Sequence, residues 1–159
     1  MKISGIAAVV TGGASGMGAA TARHLASLGA KVALLDINAA NCEAVAKEIG
    51  GAAFTCDITD AASSEKALSD AKARHGGARL VVNCAGIAPG AKIVGRNGPH
   101  DLALFRKVIE VNLIGTFNIL RLAAADMAQL EPMDEGERGA IVNTASIAGF
   151  EGQIGQAAY

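Results

Sequence analysis

Near the start of the chain lies the stretch Thr11-Gly12-Gly13-Ala14-Ser15-Gly16-Met17-Gly18, which follows an apolar run over residues 7–11 and leads into a helical pattern. A buried strand, a glycine-rich turn and a helix in this order present backbone N–H groups and the positive end of the helix dipole to a pyrophosphate. Glycine is favoured because a Cβ would hold the phosphates away. The alternative is a glycine-rich turn with no ligand, since the stricter GxGxxG spacing is absent.

Short apolar runs alternate with longer helical patterns along the whole chain. The runs predict strands at residues 7–11, 31–36, 52–55, 80–85 and 140–145. Three- and four-residue apolar spacing predicts helices at residues 17–28, 39–49, 61–75 and 101–130. Strands that alternate with helices form a parallel sheet through right-handed crossovers. The sequence therefore predicts one α/β domain with a doubly wound parallel sheet of five strands, a Rossmann fold.

Composition and charge exclude several classes of protein. A chain of 159 residues with 51% hydrophobic content can bury the core of one domain. Its 14 basic and 15 acidic residues form no basic patch, which argues against nucleic acid as a ligand. No apolar run approaches the roughly 20 residues that span a bilayer, so we expect no membrane insertion. The widely spaced Cys42, Cys56 and Cys84 indicate free thiols, no metal site and a cytoplasmic protein.

An acidic residue ends the second predicted strand. Asp36 lies eighteen residues after Gly18, close to the offset of about 20 at which a carboxylate binds the ribose hydroxyls of NAD. The same carboxylate would repel the 2′-phosphate of NADP, and no Lys or Arg stands at position 15, 37 or 38 to offset it. NAD is therefore the predicted cofactor. The alternative for Asp36 is a helix cap.

Two polar residues near the end of the chain complete a recognisable set. Ser146 and Tyr159 stand thirteen positions apart, and with the glycine-rich turn this spacing resembles the short-chain dehydrogenase/reductase family. Further matches are Asn83-Cys84-Ala85-Gly86, where the family has Asn-Asn-Ala-Gly, and Asn112 within Val111-Asn112-Leu113-Ile114-Gly115. The resemblance implies that the Tyr is the general acid/base on the substrate oxygen and that the Ser hydrogen-bonds this oxygen. It also implies that Asn112 interrupts its helix and holds a water of the proton relay, the alternative being a satisfied core amide.

The resemblance extends to ligand contacts. It implies that the cofactor is bound by Gly12, Ser15, Gly16, Met17, Gly18, Asp36, Asp57, Ile58, Cys84, Ala85, Gly86 and Tyr159. Asp57 would meet the adenine edge or, alternatively, cap a helix, and Cys84 would make a backbone contact rather than react. Substrate contacts are expected from Ser146 and Gln153, although Gln153 and Gln156 could equally fix their loop. Residues 86–100 are a candidate wall of the substrate site.

Longer runs of the sequence are similar to one subgroup of the family, the 3-hydroxyacyl-CoA dehydrogenases. These runs are residues 11–16, 83–88, 111–118, 143–146 and 150–153. This similarity implies oxidation of the 3-hydroxyl of an acyl-CoA with NAD by a homotetramer. Two alternatives stay open. One is a short-chain dehydrogenase for another secondary alcohol, such as a steroid or a 3-oxoacyl thioester, and the other is a module that binds NAD and catalyses nothing.

The position of Tyr159 at the last residue leads to a further expectation. Family members carry a Lys four residues after the Tyr, at position 163 here. A free Tyr titrates near pH 10, so a cation is needed to stabilise its phenolate at neutral pH. We therefore expect a dinucleotide-binding domain over residues 1–159 that is truncated at the catalytic Tyr, lacks the C-terminal strands, and is inactive by itself.

Overall fold

A parallel sheet of five strands forms the centre of the computed structural model, which describes residues 1–96 and 98–159. Its strands are β1 (Ala7–Thr11), β2 (Lys31–Asp36), β3 (Ala52–Thr55), β4 (Ala78–Asn83) and β7 (Ala140–Asn143). Their order is β3-β2-β1-β4-β7. A short hairpin of β5 (Val94–Gly95) and β6 (Gly98–Pro99) lies in the loop predicted at residues 86–100, of which position 97 is outside the described residues. The predicted doubly wound fold is confirmed.

Helices cover both faces of the sheet, α1 and α2 on one side and α3 and α5 on the other. The helices of the described residues are α1 (Gly16–Ser27), α2 (Ala39–Ile49), α3 (Ala61–His75), α4 (Leu102–Ile109), α5 (Thr116–Ala128) and α6 (Ala148–Glu151). Successive residues of a strand point to opposite faces, so Val10 of β1 packs in the core under α1 and α2, whereas Val9 packs in the core under α3 and α5. Because both faces are covered, the strands are apolar throughout rather than alternating.

Two strands end earlier than the sequence predicts. We predict a strand at 80–85, but β4 ends at Asn83 because the N–H groups of Cys84 and Ala85 turn away to the hydroxyl of Thr11, each at 3.2 Å. The strand predicted at 140–145 ends at Asn143, where its partner β4 also ends. Beyond these two ends, the backbone leaves the sheet and lines a cleft at its carboxyl edge.

The helix predicted at 101–130 is continuous but not regular. A π-helical segment, Glu110–Gly115, separates α4 from α5. π-Helical turns are rare and frequently occur at functional sites. By length and composition, Leu102–Ala128 is the one helix within the described residues that could cross a membrane. Its residues Ile119, Ala123 and Met127 are instead buried in the core beneath the sheet.

Chain order places a switch point between β1 and β4. The chain builds β1, β2 and β3 outward in one direction, then returns to place β4 on the other side of β1. The two connections leave the carboxyl ends of β1 and β4 in opposite directions, which opens a crevice between them. Ligands of open α/β sheets bind in this crevice.

Candidate active site

Two cavities open at the carboxyl edge of the sheet. The first, here the glycine-turn cavity, has a volume of about 430 Å³ and lies between the glycine-rich turn and the ends of β2, β3 and β4. The second, the tyrosine cavity, has about 520 Å³ and lies between the end of β4, the π-helical segment and Tyr159. Both are lined by Met17, Cys84, Ala85, Gly86 and Ile87. The cavities are therefore adjoining parts of one cleft.

Two structural features favour glycine in the turn, positive φ angles and a lack of space for a Cβ. Gly12 and Gly16 adopt positive φ angles of 67° and 51°, which residues with a Cβ rarely adopt. A Cβ at Gly12 would also lie 2.8 Å from the backbone nitrogen of Ala85, and one at Gly18 would collide with the carbonyl of Gly12. Around Gly16 the space is open. Packing of the turn thus explains Gly12 and Gly18, whereas close approach of a phosphate remains the predicted use of Gly16.

The start of α1 faces the glycine-turn cavity. Ser15 is the N-cap residue, yet its side chain makes no capping hydrogen bond. Ser15, Gly16, Met17 and Gly18 all line the cavity. The first N–H groups of a helix have no partner within the helix and carry its positive partial charge. The arrangement therefore provides donors for an anion at this wall.

Asp36 also lines the glycine-turn cavity, at the end of β2 and next to the glycine-rich turn. One carboxylate oxygen accepts the N–H of Ala14 at 3.0 Å and the other accepts the N–H of Asn38 at 2.9 Å. The cap of α2 is Asn38, whose side chain accepts the N–H of Asn41. The helix-cap alternative for Asp36 is therefore wrong, and its carboxylate connects β2 to the glycine-rich turn.

The turn after β3 forms the outer wall of the same cavity through Asp57 and Ile58. Asp57 accepts the hydroxyl of Thr59 at 2.7 Å and its N–H at 2.9 Å, and these hydrogen bonds hold the pKa of Asp57 below its usual range. The N-cap of α3 is Asp60, not Asp57. The carbonyl of Ile58 accepts the buried amide of Asn118 at 2.9 Å. Asp57 is thus an ionised residue on an anchored turn.

The end of β4 separates the two cavities. Thr11 is fully buried, and its hydroxyl accepts the N–H groups of Cys84 and Ala85 at 3.2 Å. Burial raises the pKa of the Cys84 thiol, and it raises that of Cys42 to about 11. Both thiols are therefore protonated at neutral pH, when the reactive thiolate is scarce. None of the three cysteines forms a disulfide, in agreement with the sequence prediction of free thiols.

Asn112 connects the π-helical segment to the loop after β4. Its side-chain oxygen accepts the N–H of Ile87 at 2.9 Å, and its amide nitrogen donates to the carbonyl of Ile87 at 2.8 Å. The helix is interrupted here, as the family resemblance implies, but the amide is satisfied by backbone. The side chain therefore holds the loop that divides the two cavities.

The Asn112 contact gives a test of this role. Asn112→Asp keeps the acceptor for the N–H of Ile87 but places a second oxygen against its carbonyl, so we expect a loss of about 1–3 kcal/mol in the free energy of unfolding at pH 7. The loss should shrink as pH falls and the new carboxyl is protonated, because it can then donate. Urea unfolding at pH 7 and at lower pH measures this difference. The control Asn38→Asp replaces one good N-cap by another and should change little. A pH-independent loss would contradict the proposed pairing.

The tyrosine cavity brings together Ser146, Tyr159 and Asn112. Ser146 is half-buried after β7, and its oxygen accepts the N–H of Ala148 at 3.2 Å. Tyr159 is 42% exposed, so its phenol is accessible to a ligand in the cavity. Two residues with hydroxyl groups, Ser146 and Tyr159, therefore line one cavity beside the end of β4.

Gln153 is not in this cavity. It is exposed in a separate groove with Lys92, Ile93 and Gln156. The predicted contact of Gln153 with the substrate beside Ser146 therefore does not match its place in this structure, because the loop after α6 carries it away. The oxygen of Gln156 is buried without a hydrogen-bond partner among the described residues.

The sequence did not mark Thr11, which holds the wall between the two cavities from the core, or Lys107, which lines one of them. Thr11 is predicted above only as a strand residue, although a polar residue at the end of an apolar strand indicates that its side chain has a specific partner. Lys107 lines the glycine-turn cavity from α4, and nothing in its sequence neighbourhood marks it, because charged residues on an exposed helix face are common. Within residues 1–96 and 98–159, no three His, Cys, Asp or Glu residues cluster as a metal site would require.

Comparison with known proteins agrees with this geometry. The short chain dehydrogenase model matches residues 6–159, and the chain belongs to that family. It is 47% identical over 99% of its length to 3-hydroxyacyl-CoA dehydrogenase type-2 of Homo sapiens. It is 37% identical over 92% of its length to D-threitol dehydrogenase of Mycolicibacterium smegmatis, of which it covers 55%.

A solved structure shares the fold in detail. The crystal structure of 3-hydroxyacyl-CoA dehydrogenase type-2 from Mycobacterium avium matches with a TM-score of 0.90 and 43% identity, over 98% of this chain and 62% of that one. The human relative is likewise covered over 62% of its length. The chain thus spans less than two thirds of these relatives.

Proposed function

We propose that this protein is an oxidoreductase that transfers a hydride between NAD and the 3-hydroxyl or 3-keto carbon of an acyl-CoA. The observation that carries the proposal is the pair of adjoining cavities. One has a glycine-rich turn and Asp36, and the other has Ser146 and Tyr159. A dinucleotide could lie across the shared wall of Cys84 to Ile87, with its reactive end beside Tyr159.

The residues of the glycine-turn cavity fit NAD. Its anion-binding wall at the start of α1 suits a pyrophosphate, and the Asp36 carboxylate at the end of β2 suits ribose hydroxyls. The adenine is attached to that ribose, so it would lie beyond Asp36, against Asp57 and Ile58 at the end of the outer strand. When bound, the nicotinamide supplies the hydride acceptor. We assign residues 1–159 to a single dinucleotide-binding domain.

The hydroxyls of the tyrosine cavity suit proton transfer. Tyr159 would take the proton of the substrate alcohol, and Ser146 would donate a hydrogen bond to the same oxygen. General acid–base catalysis works best when the pKa of the group is near the working pH, and a free Tyr is well above it. A neighbouring cation that stabilises the phenolate would therefore assist this step.

The choice of an acyl-CoA substrate rests on the relatives. Those of 47% identity from mammals and from Drosophila melanogaster are named 3-hydroxyacyl-CoA dehydrogenase type-2. The alternative, another secondary alcohol, is favoured by the relative named D-threitol dehydrogenase. A third candidate is a module that binds NAD without catalysis.

A substrate panel separates these candidates. Full-length protein is assayed with 3-hydroxybutyryl-CoA, a hydroxysteroid and D-threitol, for NADH formation with NAD and for NADPH formation with NADP. Turnover of the acyl-CoA with NAD, at the highest kcat/KM of the panel, is the expected result. Faster turnover of another alcohol would favour a dehydrogenase for that alcohol. NADH binding without turnover of any substrate would favour a module that binds NAD without catalysis.

We further propose a cytoplasmic homotetramer. The three unpaired cysteines support a reducing compartment. Exposed apolar side chains on the long helix, including Ile114 and Phe117, support an assembly that covers them.

A further inference from the structure

Lys107 is the only cation among the residues that line the glycine-turn cavity in the described part of the chain. It lies near the end of α4, and Val111, one helical turn further on, lines the same cavity. Residues four apart share one face of a helix. The helix therefore presents a positive charge and an apolar side chain together at the outer part of the cavity.

Two acidic residues, Asp36 and Asp57, line the same cavity. After the hydrogen bonds from Thr59, the charge of Lys107 is a further cause that holds the pKa of Asp57 down, which places the two charges near each other. No ion pair within 4 Å involves Lys107 among the described residues. Its ammonium is thus close to Asp57 without being paired to it.

The space between these charges suits a purine ring. An adenine has an exocyclic amine that donates and ring nitrogens that accept, so a carboxylate on one side and an ammonium on the other complement its edge. Its faces are apolar and attract a cation. Ile58 from the β3 turn and Val111 from the helix provide apolar contacts in the same cavity.

We propose that Lys107 is a cofactor-binding residue that closes the adenine end of the glycine-turn cavity together with Asp57. The inference rests on the proposed function, since it takes the ligand to be an adenine dinucleotide. Asp57 would accept the adenine amine, and the Lys107 ammonium would lie over or beside the ring. The charge also reduces the repulsion that two carboxylates exert on an anionic cofactor.

The test compares two neighbouring cations on α4. Lys107→Ala removes the proposed contact, Lys107→Arg keeps the charge, and Arg106→Ala removes the adjacent exposed cation, which does not line the cavity. Dissociation constants of NADH are measured by fluorescence on full-length protein, and those of adenosine by competition. Adenosine carries the adenine and its ribose but no phosphate and no nicotinamide half.

We expect Lys107→Ala to weaken both NADH and adenosine by about three- to fivefold, the size of one partly exposed charge contact. The effect on NADH, which is anionic, should shrink at about 0.5 M NaCl, where the Debye length is only a few ångströms. Lys107→Arg and Arg106→Ala should stay within about twofold of wild type, which is below one such contact.

Two results would overturn the inference. One is a Lys107→Ala variant that binds adenosine as tightly as wild type, including the case in which only NADH is weakened, because the contact would then be to the phosphates. The other is an equal loss in Arg106→Ala. Failure of wild-type protein to bind NADH would instead refute the proposed function, so the two failures are distinguishable.

Discussion

Tyr159→Phe in the full-length enzyme is expected to lower kcat by about 10²- to 10⁴-fold, the usual contribution of a general acid–base group. The substitution removes only the hydroxyl group, and no hydrogen bond within the described part of the chain depends on that group. Binding of NADH should change by less than about twofold, because the glycine-rich turn and Asp36 line the other cavity. Steady-state assays and fluorescence titration of NADH measure the two effects separately.

Ser146→Ala provides the comparison for Tyr159→Phe. It removes the second hydroxyl of the tyrosine cavity and also the acceptor for the N–H of Ala148. It should therefore lower kcat and also reduce stability, whereas Tyr159→Phe should reduce kcat alone. Activity of Tyr159→Phe within a few-fold of wild type would show that another group transfers the proton.

NADH is expected to bind more than about tenfold more tightly than NADPH, a difference above roughly 1.4 kcal/mol. A 2′-phosphate would meet the Asp36 carboxylate, whose two oxygens already accept from Ala14 and Asn38. These hydrogen bonds hold the carboxylate in place, so it cannot turn away from the phosphate without losing them. Parallel titrations with the two reduced cofactors give the ratio.

Asp36→Ala tests the cause of this preference. It removes the repulsion, so the ratio of the two dissociation constants should fall toward one, while both affinities decrease because the N–H of Ala14 loses its partner. The control Asp70→Asn neutralises an exposed carboxylate that pairs with Lys66 on α3, away from the cleft. It should leave the ratio unchanged. Equal affinities for the two cofactors in wild type would refute the role of Asp36.

Much of the fold could be predicted from the sequence because its signals are local. The strands predicted at residues 7–11, 31–36 and 52–55 have the same bounds in the structure, since each is a short apolar run between turn residues. Asn38 and Asp60 cap their helices through hydrogen bonds to residues three positions on. Such contacts depend only on neighbours in sequence, so a single sequence contains them.

Contacts between residues that are far apart in the sequence could not be predicted in this way. The end of β4 depends on the hydroxyl of Thr11, more than seventy residues earlier. The pairing of Asn112 with Ile87 depends on where the long helix crosses the loop after β4. A polar residue in an apolar helix indicates that a partner exists, but the partner is identified only when the two elements pack.

By itself, the sequence determined the alternation of strands and helices, the glycine-rich turn and the carboxylate at the end of β2, because each follows from residue type and spacing along one segment. Only the tertiary structure decided which side chains share a cavity. It joined Ser146 and Tyr159, left Gln153 in another groove, and added Lys107 to the glycine-turn cavity. The physical reason is that a cleft is formed by several segments, and its membership depends on their packing rather than on the properties of any one of them.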